Sequence, residues 1–283
     1  MPPSEHARLQ AGAAVVFIDR KEREYLRVLR PGKRLQIRNG TVLADQIIGL
    51  DEGQVVYNTA QEPFLMLRPS FAQLIPNLPR TAQVIYPKDI GPILLWGDIY
   101  PGATVIEVGV GPGALSMALL RAVGAHGRVI SYEARQDFAD MARNNVRQFH
   151  GETPQWSIKV ADALAGFEER DVDRLTMDIA EPWLLLPAVA AALRAGGLVI
   201  GYVPTAMQVK QLVDALRSHG SFGVVQSFET LMRFWHVKGL SVRPEHRMIG
   251  HTGFIVTARR IAADGNARSF APDAKLVDSD TGM

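Results

Sequence analysis

The chain has 283 residues, 47% hydrophobic and 21% charged, enough to bury one large core or two smaller ones. Its formal net charge is only +2, so a polyanionic partner must meet a local basic patch rather than a protein that is basic throughout. The absence of cysteine excludes a disulfide framework and a thiolate metal site and fits a reducing cytoplasm, and no apolar run of about 20 residues or signal-type leader points to a membrane.

Residues 1–70 read as a small, β-rich, barrel-like module. Alternation at Tyr25–Leu29, Leu35–Ile37, Thr41–Leu43, Val55–Tyr57 and Phe64–Leu67 predicts short strands, and Asn39-Gly40 is a hairpin signal. Arg20, Lys21, Arg23, Arg27, Arg30, Lys33, Arg34 and Arg38 crowd together here, which makes either a solvated charged face or an RNA contact. Residues 71–103 form a linker, stiffened by Pro76 and Pro79, together with the run Gln83-Val84-Ile85-Tyr86-Pro87-Lys88-Asp89 that leads into the next domain.

Strand and helix patterns then alternate over residues 104–260. Strands are expected near 104–109, 128–133, 156–160, 173–178, 197–203, 222–232 and 252–259, which is an α/β fold with a doubly wound sheet. Between the last two there is no helical period, only an aromatic and basic stretch from Arg233 to Arg247. A hairpin there permits an antiparallel final strand, the arrangement of class I methyltransferases rather than of dehydrogenases. Residues 261–283 lose all periodicity and are expected to form a flexible tail.

The stretch that organises the second half is Thr104 to Tyr132. A β-branched run ends in Gly109, Gly111 and Gly113, and a helical pattern follows at Leu115, Ala118, Leu119 and Ala122. A strand, a glycine turn and a helix N-terminus together make a site where a nucleotide-like cofactor approaches backbone N–H groups. Gly109, Gly111 and Ala114 also satisfy the dinucleotide pattern. Glu107 favours the other reading: a buried acid two residues before the first glycine suits the cationic groups of S-adenosylmethionine (SAM) and repels the diphosphate of NAD. A bare βα turn without ligand is the bland alternative.

In open sheets ligands sit at the carboxyl ends of strands, where this chain places Glu133, Asp162 and Asp178. Glu133 suits paired ribose hydroxyls and Asp162 an adenine amino group, while helix capping is the ordinary role of such acids. Asp178 can face both a methyl donor and an incoming base. The seven histidines show no metal-binding spacing.

Several motifs in order, Tyr86-Pro87-Lys88-Asp89, the glycine loop from Glu107, Asp178 with Pro182-Trp183, Tyr202-Val203-Pro204 and Gly250-His251-Thr252-Gly253-Phe254, resemble the tRNA (adenine-58-N1)-methyltransferase family. The resemblance runs from the β-rich module to about residue 260. It implies a class I methyltransferase, a homotetramer in the cytoplasm, that uses SAM to methylate N1 of adenosine 58 in tRNA. It further implies that the glycine loop through Leu115, with Glu133, Phe138 and Asp162, binds SAM, that Asp178 contacts the adenine, and that Tyr86 and Tyr202 line its pocket. Pro112 departs from the family, which usually has Ser there, and so removes a hydroxyl and a backbone donor. Phe138 stands where relatives often have a polar group, so stacking replaces a hydrogen bond. A non-catalytic tRNA-binding subunit and a methyltransferase acting on another substrate are the alternatives.

Overall fold

A computed structural model describes residues 8–81 and 83–262, so the expected tail lies, from residue 263 on, outside the described residues. These residues fall into two compact units. The first runs to Pro79 and takes in Arg147–Gly151; the second comprises Arg80–Val146 and the chain from Glu152.

In the first unit, β1 (Ala14–Ile18), β2 (Glu24–Val28), β3 (Arg34–Ile37), β4 (Gly40–Leu43), β5 (Val55–Tyr57) and β6 (Pro63–Leu67) precede a short helix, α1 (Phe71–Leu74). The order β2-β1-β6-β5 makes an open antiparallel sheet, and β3 and β4 pair separately, so the ladders do not close into the expected barrel. The central strand β1 is absent from the sequence reading for a physical reason. Ala-Val-Val-Phe-Ile is an unbroken apolar run, and Val15, Val16 and Phe17 are all buried, so no alternation betrays the strand. The β3–β4 turn is Arg38-Asn39, one residue earlier than the hairpin signal suggested, because Gly40 already pairs with Ile37.

The second unit contains α2 (Pro87–Trp96), β7 (Thr104–Val108), α3 (Ala114–Val123), β8 (Arg128–Glu133), α4 (Gln136–Phe149), β9 (Trp156–Val160) and β10 (Val172–Met177). It continues through α5 (Leu186–Ala192), β11 (Leu193–Val203), α6 (Ala206–Ser218), β12 (Phe222–Phe228), β13 (Trp235–Lys238), β14 (Ser241–Pro244) and β15 (Phe254–Arg260). Its seven strands are ordered β12-β15-β11-β10-β7-β8-β9, parallel except that β15 runs antiparallel to both neighbours. This is the class I methyltransferase sheet, with the β13–β14 hairpin in the helix-free final crossover as expected. The strand order reverses between β7 and β10, which opens a crevice at their carboxyl ends. Ile106, Leu175, Val199 and Val256 form one layer of a buried core that the flanking helices cover.

Arg174 is the one guanidinium buried inside this sheet among the described residues, and it closes the far end of the unit. Its Nε donates to the carbonyls of Gly97 (2.9 Å) and Asp98 (3.0 Å), the residues that end α2, and Nη2 pairs with the Asp98 carboxylate at 2.5 Å. Helix C-termini leave carbonyls without intrahelical donors, and a cation there also complements the helix dipole. Arg174→Met should therefore lower stability by about 1–3 kcal/mol in urea unfolding, the cost of leaving such buried acceptors unpaired; methyl transfer at a temperature where the variant is folded should be near normal.

Candidate active site

The glycine turn after β7 is fixed from three directions. Gly109 N–H donates to the carbonyl of Tyr132 on β8, and Asp178 N–H after β10 donates to the carbonyl of Val108, at 3.0 and 2.8 Å. Gly109, at φ +82°, presses against the Asp178 backbone: a Cβ on it would lie 2.2 Å from the Asp178 carbonyl oxygen. Only glycine tolerates both that conformation and that approach. Gly111 has open space beside it, and Gly113 caps the N-terminus of α3 in a left-handed conformation. Ala114 and Leu115 are buried at the start of α3, where the backbone N–H groups have no intrahelical acceptor. Pro112 has no N–H to offer, but its carbonyl is held at 2.9 Å by Asn145 Nδ2 from α4, which keeps the loop in place.

Glu107 is wholly buried behind this loop and does not reach the cleft surface. Its Oε2 accepts from Ser131 Oγ (2.5 Å) and Ser116 Oγ (2.8 Å), tying β7 to β8 and α3, while its Oε1 is buried without a hydrogen-bond partner. Burial pushes its carboxyl up to about 7 against the pull of the two hydroxyls.

Beside the loop lies a cleft of about 230 Å³ bordered by Gly109, Glu133, Asp162, Leu164, Ile179 and Glu181. Glu133 is aimed by two backbone donors, Val110 N–H to Oε2 and Arg135 N–H to Oε1, each 3.0 Å, which leaves lone pairs on both oxygens. Asp162 performs the ordinary capping role, accepting from Leu164 N–H at 2.9 Å through Oδ1, and still borders the cleft. Leu164 is 57% exposed over the cleft. An apolar side chain so placed supplies a surface for a flat base, and the sequence reading missed it because a single Leu in a loop carries no periodic signal. Phe138 is half-buried at the start of α4, and the Arg135 guanidinium lies 4.0 Å from its ring centroid, so the stacking partner it has here is Arg135.

Asp178 stands one residue beyond the Met177–Gly201 pair, beside Tyr202 on β11. Its side chain is open to solvent, yet protein surrounds it closely. Desolvation by those walls, then the charge of Glu133, push its carboxyl up to about 7, a shift that water in the open cleft screens and a bound ligand restores. Tyr86 is half-buried at the N-cap of α2. Tyr202 is buried with its hydroxyl donating to Asp89 Oδ2 at 3.2 Å, so it presents its ring rather than a free phenol. Glu133, Asp162 and Asp178 thus gather at one sheet edge, with Tyr202 next to Asp178 on the other side. Among the described residues no three His, Asp or Glu side chains are placed to hold a metal ion, and no helix is long and apolar enough to cross a membrane.

Residues 65–252 match the family described as tRNA methyltransferase complex GCD14 subunit, and residues 8–56 match the TrmI-like N-terminal family. The tRNA (adenine(58)-N(1))-methyltransferase TrmI of Thermus thermophilus is 33% identical over 248 residues, covering 86% of this chain and 94% of that protein. The Methanocaldococcus jannaschii enzyme described as acting on adenines 57 and 58 is 32% identical over 74% of this chain and 83% of its own length. Two crystal structures are similar over nearly the whole chain. One is a SAM-dependent O-methyltransferase of Thermotoga maritima, with TM-score 0.87 and 31% identity over 93% of this chain and 98% of that one. The other is the tRNA (m1A58) methyltransferase TrmI of Aquifex aeolicus, with TM-score 0.79 and 27% identity over 90% and 99%.

The glycine cradle and the two-donor setting of Glu133 fit SAM at this loop. Gly109→Ala should abolish SAM binding in calorimetric titration, since the added methyl displaces the Asp178 backbone and forces a strained φ. A variant that still binds SAM within threefold of the parent would show that the close approach does not shape the cofactor site.

Proposed function

Because the chain belongs to the tRNA (adenine-58-N1)-methyltransferase family, we infer that it transfers a methyl group from SAM to N1 of adenosine 58 in the TΨC loop of tRNA. The observation that carries this reading is the position of Asp178, solvent-open at the reversal of strand order, with the cofactor cleft toward β8 and Tyr202 toward β11. SAM supplies the methyl as an electrophile on a sulfonium. Glu133 is set to accept from ribose hydroxyls, and the second oxygen of Asp162 to accept from an adenine amino group. Adenine N1 carries an in-plane lone pair, so the attack itself needs positioning rather than a base on N1. The ring becomes cationic as N1 is methylated. Asp178 accepts from the exocyclic amino group and stabilises that charge. Since N1 lies on the Watson–Crick edge, the base must leave its stack, and the rings of Tyr86 and Tyr202 receive it.

The basic cluster of the first unit supplies the tRNA contact. Not all of it is available: Arg23 pairs with Asp19, Arg38 with Glu62, and Arg27 donates to the carbonyls of Gln36 and Leu26. Arg20, Lys21, Arg30, Lys33 and Arg34 are exposed and have no carboxylate partner among the described residues. The homotetramer remains part of this proposal. On the β13–β14 hairpin, Phe234, Trp235, Val237, Leu240 and Val242 all point into solvent, an apolar patch that a second copy of the chain would cover. The cytoplasm is the compartment that fits a cysteine-free tRNA enzyme.

Three outcomes are expected. Asp178→Ala should lower single-turnover methylation by about 100-fold or more with SAM affinity largely retained, and Asp178→Asn should recover binding more than rate, because an amide accepts without carrying charge. For the parent, the single-turnover rate at saturating SAM and tRNA should fall as pH drops through about 7, since the carboxylate is the accepting form and a raised carboxyl is protonated below that point; Asp178→Asn should remove this limb. Neutralising Arg30, Lys33 and Arg34 together should weaken tRNA binding and reduce its dependence on salt, by up to about 0.7–0.9 in log–log slope for each phosphate that the protein no longer neutralises, with SAM affinity unchanged.

A further inference from the structure

The motif Tyr86-Pro87-Lys88-Asp89 does not border the cofactor cleft, yet it contains a fully buried carboxylate. Asp89 is 0% exposed and stands in the first turn of α2, where its charge is favoured by the helix dipole. Side chains from three other segments of the second unit converge on it. Its Oδ2 accepts from Thr252 Oγ1 (2.5 Å), just before β15, and from Tyr202 OH (3.2 Å) on β11. Its Oδ1 accepts from Lys88 Nζ (2.7 Å) and from Thr230 Oγ1 (2.6 Å), just after β12.

The surrounding atoms are built to hold this arrangement. Pro92 inside α2 cannot donate to the carbonyl of Lys88, and Thr230 Oγ1 stands 3.2 Å from that freed acceptor. Lys88, itself buried, also donates from Nζ to the Thr230 carbonyl at 2.9 Å. Gly253 leaves room for Tyr202: a Cβ there would lie 2.4 Å from Cζ and 2.6 Å from the hydroxyl of that ring. Outside the cluster, the two ring nitrogens of His251 face the Pro204 carbonyl (2.7 Å) and the Glu229 carboxylate (3.1 Å), strapping together the same loops. All these segments lie at the sheet edge that carries Asp178, on the side away from the cofactor cleft.

We propose that Asp89 is the positioning residue of the methyl-acceptor side of the site, fixing the Tyr202 ring beside Asp178 by gathering α2 and the loops of β11, β12 and β15 onto one carboxylate. This rests on the methyltransferase reading and extends it from the reacting acid to what holds its neighbour. Asp89 touches neither cofactor nor base. Its effect passes through Tyr202, so it should act on the acceptor and on turnover and leave the donor site untouched.

The test compares the parent, Asp89→Asn, Thr252→Val, Tyr202→Phe and the double variant Asp89→Asn/Tyr202→Phe, using SAM titration calorimetry and single-turnover methylation of unmodified tRNA. The expected result is a SAM Kd within about twofold of the parent in every variant. Asp89→Asn should lose roughly 10- to 100-fold in single-turnover rate, the scale of a misplacement of about 1 Å. The double variant should lose no more than Asp89→Asn alone, since both changes break one link. Thr252→Val removes one donor without leaving a charge unpaired, so it reports even if Asp89→Asn does not fold, and it should lose several-fold in rate at unchanged SAM Kd. Parent-like rates in the Asp89 and Thr252 variants, losses that multiply in the double variant, or a parallel loss of SAM binding would each overturn the proposal while leaving the methyltransferase reading in place. A parent protein that transfers no methyl to tRNA would overturn both.

Discussion

The site depends on one backbone contact, the approach of Gly109 to the carbonyl of Asp178, so close that a single methyl group on Gly109 has no room. Through it, the loop after β7 and the chain after β10 are held at the place where the strand order reverses. The left-handed turn at Gly109 aims the following residues toward the N-terminus of α3, and the same contact fixes the backbone of Asp178 next to Ile179, which borders the cleft. Cofactor geometry and acceptor geometry are therefore not independent. Any distortion at Gly109 reaches Asp178, the acid proposed to face the base.

Two kinds of polar burial support this arrangement. Glu107 lies behind the glycine loop and binds it to β8 and α3 through two serine hydroxyls, and burial raises its carboxyl to about 7, near the point where charge and neutrality balance. Asp89 has a lysine and three hydroxyls around it, donors enough for a buried carboxylate to persist. One reaches toward β8 and α3 and the other toward Tyr202 on β11. Neither forms part of the cleft wall.

How far the sequence could be read follows from the range of each interaction. The glycine turn, the acids at the strand ends and the helix-free crossover are local patterns, and they led to the sheet, its antiparallel strand and the cleft bordered by Glu133 and Asp162. Strand β1 was invisible because it is buried on both faces and shows no alternation. Asp89 appeared only as a letter in a motif, since the hydroxyls that meet it stand 113, 141 and 163 residues away. For the same reason Tyr202 was read as a pocket residue without sight of the hydrogen bond that orients it. Glu107 reads from sequence as a partner for cationic cofactor groups; serines nine and 24 residues on, which no local pattern links to it, satisfy one of its oxygens and leave the other unpartnered.

The central claim is that this edge delivers a methyl group to a ring nitrogen of one adenosine in tRNA. The relative of Thermotoga maritima, described as an O-methyltransferase, makes the identity of the acceptor atom the point to settle. The direct measurement is mass spectrometry of nucleosides and of mapped fragments from unmodified tRNA incubated with the protein and SAM carrying a deuterated methyl group. The account predicts labelled 1-methyladenosine confined to the fragment that carries position 58. Label on a ribose oxygen, on another base, or on no nucleoside at all would contradict it.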